Sequence, residues 1–178
     1  MQRIIYYVAI SLDGYIAGPG GDISQFAMQG EGVTKYQTDL ADFSTVIMGR
    51  KTYEFGYQFG LTPGQPAYPH MQHHIFSSSL SFSEASDQVQ VEELSINRIE
   101  GIRDQSPTDV YLCGGGDFAG WMLENDLIDQ LKIKLNPIVL GGGTKLFGES
   151  SFKANFRLVQ RETFSDNSLE LLTYDVKI

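Results

Sequence analysis

The stretch VYLCGGGDFAGWM, residues 110–122, decides how the chain is read. Four strand-type residues, Val110, Tyr111, Leu112 and Cys113, run into Gly114, Gly115 and Gly116, and the chain then reads as helix through Trp121, Met122 and Leu123. Three consecutive residues without side chains help where a backbone turns sharply or a large group approaches it. Gly114 to Ala119 formally satisfy G-x-G-x-x-A at a strand–helix junction, where free N–H groups and the helix dipole favour a phosphate. A Rossmann fold puts that turn after its first strand, with an acid about 20 residues further on for a ribose. Here the turn lies far down the chain and the corresponding region is the strand-like LKIKLNP, 131–137. The Rossmann reading fails, and an anion or cofactor approaching a different α/β sheet is expected.

Two further strand ends carry a related signature. In VIMGRKTYE, 46–54, a buried strand meets Gly49, and Arg50, Lys51 and Thr52 open a helix. Cations at a helix N-terminus oppose the dipole, a conflict that something negative would relieve. IFSSS, 75–79, puts Ser77 and Ser78 just past Phe76 at the end of a strand; alone this is a polar turn. Three such places match the rule that open α/β sheets bind ligands at the carboxyl ends of their strands. A ligand with several phosphates is the economical explanation. No G-x-x-x-x-G-K-[ST] occurs, so nucleotide hydrolysis has no support.

Around these junctions, apolar alternation predicts a strand near residues 3–11, a glycine-rich loop over 13–22, a polar helix over 31–41 and a strand from Thr45 to Met48. A loop with three prolines leads to the strand HHIFS, 73–77; a weak strand near 89–93 and a helix over 95–105 follow. LKIKLNPIV, 131–139, alternates cleanly and predicts a strand with one solvated face, stopped by Pro137 and Gly141 to Gly143. FRLVQRETF and SLELLTYDV flank SDNS as a closing hairpin. The order predicts an α/β fold whose central sheet is mostly parallel and ends in an antiparallel hairpin, in one domain over 1–178.

Composition excludes several partners. A net charge of −9 disfavours nucleic acid, whose phosphates need a basic surface. No apolar run approaches the roughly 20 residues that span a bilayer, and the N-terminus lacks a signal peptide's layout. Cys113 is the single cysteine, so no internal disulfide forms, which agrees with a cytoplasmic location; the residue itself is expected in the core. The spacing of His70, His73 and His74 suits no single helical face and no Cys or carboxylate cluster adjoins it. No metal is expected, and these histidines are read as surface loop and strand edge.

Taken in order, ISLDGYIA, VIMGRKTYE, IFSSS, YLCGGG and DLIDQLKIKLNPIVLGGGTKLF resemble the dihydrofolate reductase-like superfamily over nearly the whole chain. The likeness is closest to stand-alone relatives of the reductase domain of the bacterial riboflavin-biosynthesis deaminase-reductase. It implies a three-layer fold that binds NADPH. Gly49, Arg50, Lys51 and Thr52 would then face the cofactor's phosphates and adenosine ribose, and Phe76, Ser77 and Ser78 its adenosine side. Gly114, Gly115, Gly116, Asp117 and Phe118 would take the pyrophosphate, and Ala9, Ile16 and Ala17 the nicotinamide. The companion deaminase's H-x-E and P-C-x-x-C zinc ligands are absent. Asp39-Leu40-Ala41-Asp42-Phe43 looks like the D-L-x-x-F setting of a folate-type acid but lies too close to Met48, so no such acid is assigned; Asp22 and Glu31 are other acids near the expected pocket. Phe26, Tyr36, Tyr53, Tyr57 and Trp121 are candidates for holding a flat substrate ring.

The resulting expectation is an NADPH-dependent reductase that passes a hydride to a small, heterocyclic acceptor, the alternative being an NADPH-binding module without catalysis. A homodimer is expected, with LKIKLNPIV beside the hairpin as an apolar sheet surface in need of cover.

Overall fold

The computed structural model describes residues 1–166 and 168–177. The chain opens with β1 (Ile4–Ile10), whose alternation sends Ile4, Tyr6 and Val8 to one core and Ile5 and Tyr7 to another. There follow β2 (Tyr15–Ala17), α1 (Glu31–Leu40), β3 (Thr45–Gly49), α2 (Arg50–Phe55), β4 (Gln72–Phe76) and β5 (Val89–Glu92). Next come α3 (Ile96–Gln105), β6 (Val110–Gly114), α4 (Gly116–Glu124), β7 (Gln130–Leu135), β8 (Thr144–Lys145), β9 (Asn155–Thr163) and β10 (Glu170–Lys177).

The main sheet runs β5-β4-β3-β6-β1-β7-β10-β9. It is parallel through β7, and β10 and β9 then add antiparallel, as the hairpin signal required. One face is covered by α3 and α4 through Ile99, Ile102, Phe118 and Met122; the other takes α1 and α2 through Leu40 and Tyr53. Parallel strands covered on both faces read as near-continuous apolar runs, which is why VIM and VYL carry no alternation. Each fully buried Leu, Ile or Phe among them contributes about 1.5–3 kcal/mol over exposure. A separate two-stranded sheet pairs β2 with β8. Among the described residues, no helix is long and apolar enough to cross a membrane.

Two local expectations are corrected. β7 is an interior strand between β1 and β10, and the side expected to be solvated lies beneath α1. Lys132 donates to the Asp39 carboxylate at 2.9 Å and sits 4.5 Å from the centre of the Tyr7 ring, while Lys134 is buried. Alternation with lysine mimics a solvated face, but a lysine stem can lie on apolar surface with its charge met by a helix-end carboxylate. On this side of the sheet the edge strand is β9, where Leu158 and Val159 are exposed. The reason for expecting a covering partner therefore moves from β7 to β9.

His70 is an exposed loop residue, but His73 and His74 are not at a sheet edge, because β4 lies between β3 and β5. His73 is fully buried. The Tyr68 backbone N–H donates to its Nε2 at 3.1 Å, so the proton belongs on Nδ1, which donates to the Met71 carbonyl at 3.0 Å. His74 Nδ1 pairs with Glu92, and the His70 ring contacts the Leu40 carbonyl. His70 and His73 thus bond to backbone groups, and His74 to a carboxylate on the neighbouring strand.

Burial pushes the His73 pKa down to about 4, because protonation would charge a dry site and cost the Tyr68 hydrogen bond. The folded pKa lies below the unfolded one, so this contribution is fully present above about pH 6.5 and is lost as pH falls toward 4. The difference corresponds to roughly 3 kcal/mol. Urea unfolding of the parent and of His73→Gln at pH 7.5 and 5 checks it: the parent should lose more stability on acidification than the variant. Equal losses would show that His73 does not carry the dependence.

Candidate functional site

Strands β1 and β6 share a register only as far as Tyr6 and Leu112, whereas β1 stays with β7 to Ile10 and Leu135. Beyond Leu112, β6 bends into Gly114, whose φ of 124° is open to glycine and strained for other residues. The β3–β6 register shifts at the same level, pairing Met48 with Gly114. A gap therefore opens between the carboxyl ends of β1 and β6, with Val8 and Cys113 on its sides. It leads into a cleft of about 730 Å³, within the roughly 300–1,000 Å³ typical of small-molecule sites.

The walls come from distant parts of the sequence. Gly49 to Thr52 and Phe76 to Ser79 form one side, Gly115 to Phe118 another, and Ile16, Ala17 and the segment around Thr144 and Lys145 the third. Asp13 holds this third wall. Its carboxylate accepts from Ser11 Oγ at 2.6 Å and from the backbone N–H groups of Leu140 and Gly141 at 3.1 and 2.8 Å. Those bonds, led by the one from Ser11, keep its carboxyl below the usual range.

Each glycine of the opening stretch meets something different. The Tyr6 ring lies 3.7 Å from where a Cβ on Gly114 would stand. On Gly115 a Cβ would meet only Thr52 Oγ1, at 3.0 Å. On Gly116 it would run into the Lys145 carbonyl and come within 2.8 Å of the Gly148 nitrogen. Part of the glycine run thus admits the protein's own β8 segment, and Gly115 lines the cleft with Thr52 packed close against it. The first turns of α2 and α4 both line the cleft, and their N-caps, Gly49 and Gly115, supply no side-chain cap. Their leading N–H groups are accordingly available to an anion.

Cations on this rim are loosely held. Arg50 Nη1 donates to Ser79 Oγ at 3.3 Å and its Nε lies 3.7 Å from Glu54; Lys51 is 3.5 Å from Asp117, and Lys145 is 3.0 Å from Glu149. Exposed pairs of this kind are worth about 0–1 kcal/mol, so an arriving anion can displace them. Ser77 Oγ accepts from the N–H groups of Ser79 and Leu80 and so shapes its own turn, leaving Ser78 exposed and Ser79 beside Arg50. Phe118 stacks on Phe76 with centroids 5.2 Å apart, which joins the α4 and β4 sides of the cleft.

The expected cofactor residues converge here with two differences: Gly114 lies behind the lining, and Ala9 points to the opposite face of β1 from Val8. Among the described residues, none of the expected substrate residues Asp22, Phe26, Tyr36, Tyr53, Tyr57 and Trp121 lines the cleft. Asp22 is exposed and accepts from the Ser24 N–H; Phe26 is buried; Tyr36 bonds to the Tyr111 hydroxyl. Tyr53 donates to the Gln65 carbonyl at 2.7 Å, and Trp121 packs against the α4-side core. Their near neighbours Ile23 and Phe55 line the cleft instead. Lys145, Glu149 and Ser79 were missed, although Ser79 completes the serine run. Glu31 is exposed at the start of α1. Asp39 lies outside the cleft: burial works against its charge, but hydrogen bonds from Lys35 and Lys132 outweigh this and hold its carboxyl below the usual range. A second cleft of about 430 Å³, with Gln72, His74 and Arg98 in its walls, lies toward the opposite ends of β3 and β4.

Comparison with known proteins agrees with this geometry. The chain is 29% identical over 164 residues to the Bacillus subtilis (strain 168) protein YwjB, covering 92% of each. A riboflavin biosynthesis-type protein from Shewanella sp. PV-4 superposes with a TM-score of 0.81 at 25% identity, covering 99% of this chain and 100% of the other. Dihydrofolate reductase from Enterococcus faecalis, complexed with NADP(H) and RAB-propyl, shares the fold with a TM-score of 0.70 at 16% identity over 99% and 97% of the two chains. The RibD C-terminal domain model matches residues 2–169, and the chain belongs to that family.

Proposed function

We propose that this protein is an NADPH-dependent reductase that transfers a hydride to a small heterocyclic acceptor. The observation that carries the reading is the cleft where β1 and β6 part, rimmed by the cations and open helix starts that phosphates require. Membership of the RibD C-terminal domain family supports it.

The residues present fit such a cofactor. Arg50 and Lys51 at the start of α2 would take phosphate charge, and the N–H groups after Gly115 would cradle the pyrophosphate where no Cβ intrudes. Ser78 and Ser79 would bond the adenosine side. The bound cofactor would supply the hydride, and the chain would supply position and water exclusion. Val8, Ile16, Ala17, Ile23 and Phe55 provide the apolar surface for that. Cys113 stays a neutral thiol there, since burial pushes its pKa up.

Preference for NADPH over NADH would rest on Arg50. A 2′-phosphate brings roughly 1.5–2 negative charges near neutral pH into a protein of net charge −9, so it needs a fixed cationic fork. Arg50→Ala is expected to weaken NADPH by about 1.5–3 kcal/mol, tenfold or more, and NADH much less, as read by calorimetric titration. Equal losses for both cofactors would put Arg50 at the shared pyrophosphate, and unchanged NADPH affinity would remove it from the site.

For the assembly we propose a homodimer that covers β9. Its outer backbone edge is nine residues long, and Leu158 and Val159 are 49% and 46% exposed on it. Long edges of this kind invite pairing. Light scattering at micromolar concentration should give twice the 19.8 kDa chain mass; the single-chain mass would dispose of the dimer.

A further inference from the structure

Lys134 is a buried lysine without a counter-charge among the described residues. β7 and the residue after it turn Lys132, Lys134 and Asn136 to the α1 face. Lys132 is matched by Asp39. Lys134, only 7% exposed, has the Ala27 carbonyl at 3.5 Å and the Tyr36 ring at 5.0 Å, and among the described residues no carboxylate pairs with it. Asp39 is committed to Lys35, Lys132 and the Tyr7 hydroxyl. Burial pushes the Lys134 pKa down, as expected for an ammonium denied both water and an anion.

Its position gives this a meaning. The register sets Lys134 against Ala9, on the face opposite to the cleft-lining Val8 and at the level where β1 has already left β6. The segment leading into α1 crosses above it: Asn136 Oδ1 accepts the Ala27 N–H at 3.1 Å, and Asn136 Nδ2 donates to the Lys134 carbonyl at 3.0 Å. Ala27 is thereby held across the ammonium, and Ile23, in the same segment, lines the cleft. A sequence that supplies a carboxylate to one lysine and withholds it from the next has left room for an anion from outside the chain.

We propose that Lys134 receives an anionic oxygen of the acceptor, reached as the Ala27 carbonyl gives way, so that the acceptor is a small heterocycle bearing a carboxylate or an ionised ring oxygen. This rests on the reductase reading above. An anionic acceptor would then bind by supplying the missing counter-charge, and a neutral analogue would leave the ammonium unpaired.

Formate, the smallest carboxylate, is the probe. In NADP⁺-saturated protein carrying ¹³C-labelled lysine, the Lys134 signal should respond saturably to formate, and its titration midpoint should rise by roughly one to three pH units. Formate should raise the melting temperature of the parent and not that of Lys134→Met. The variant should melt higher than the parent without formate and bind NADPH within about twofold of it. A Lys134 signal indifferent to formate overturns the proposal, as does a variant that melts lower than the parent. Failure of the parent to bind NADPH would sink the reductase reading instead, and formate added to the protein alone would still decide the role of Lys134.

Discussion

Parallel strands β1 and β6 exchange hydrogen bonds only up to Tyr6 and Leu112, because the β6 backbone turns at Gly114 into a conformation that a side chain would strain. The proposed site depends throughout on that separation. Pairing to the ends of both strands would leave no space between Val8 and Cys113. The same bend starts α4 at the rim, so the gap and the uncapped N–H groups proposed to meet phosphate arise together. Glycines then do two jobs: Gly116 lets the β8 segment close the far wall, and Gly115 lets the Thr52 hydroxyl approach on the near side.

Much of this was legible from the sequence because the strand–helix junctions are punctuated by glycine. VIMGRK and YLCGGG each fix a strand end and a helix start within a residue or two, and the sheet rule brings such ends to one edge. What could not be read depended on partners far away in the chain. The lysines of LKIKLNP look solvated until α1 is placed over them with Asp39 at its last turn. HHIFS looks like an edge until β5 pairs beyond it, and His73 then proves to be a neutral tie between the Tyr68 and Met71 backbones. Which aromatics meet the cleft could not be read for a similar reason: Tyr53 and Phe55 are two residues apart on one short helix, and only the packed structure tells that Tyr53 enters the core while Phe55 meets the cleft.

The two faces of the sheet treat charge differently. Around the cleft, cations are exposed and weakly paired, which suits a ligand that brings several negative charges and must leave again. On the α1 face, charge is half-buried and mostly answered, with Tyr7, Lys35, Lys132 and Asp39 forming one network. Lys134 stands out from that network, two residues from a lysine that the same fold neutralises. Cofactor and acceptor would accordingly be recognised by different means: the first by many replaceable surface contacts, the second by one desolvated charge.

The central claim is that NADPH occupies the cleft where β1 and β6 part. Backbone amide shifts followed by ¹⁵N NMR during an NADPH titration test it most directly, because the three proposed binding segments all report through their own N–H groups. The account predicts that the largest saturable shifts fall at Arg50 to Thr52, Ser77 to Ser79 and Gly115 to Phe118. Shifts gathered instead around Gln72, His74 and Arg98 in the second cleft, or no saturable shift at all, would contradict it.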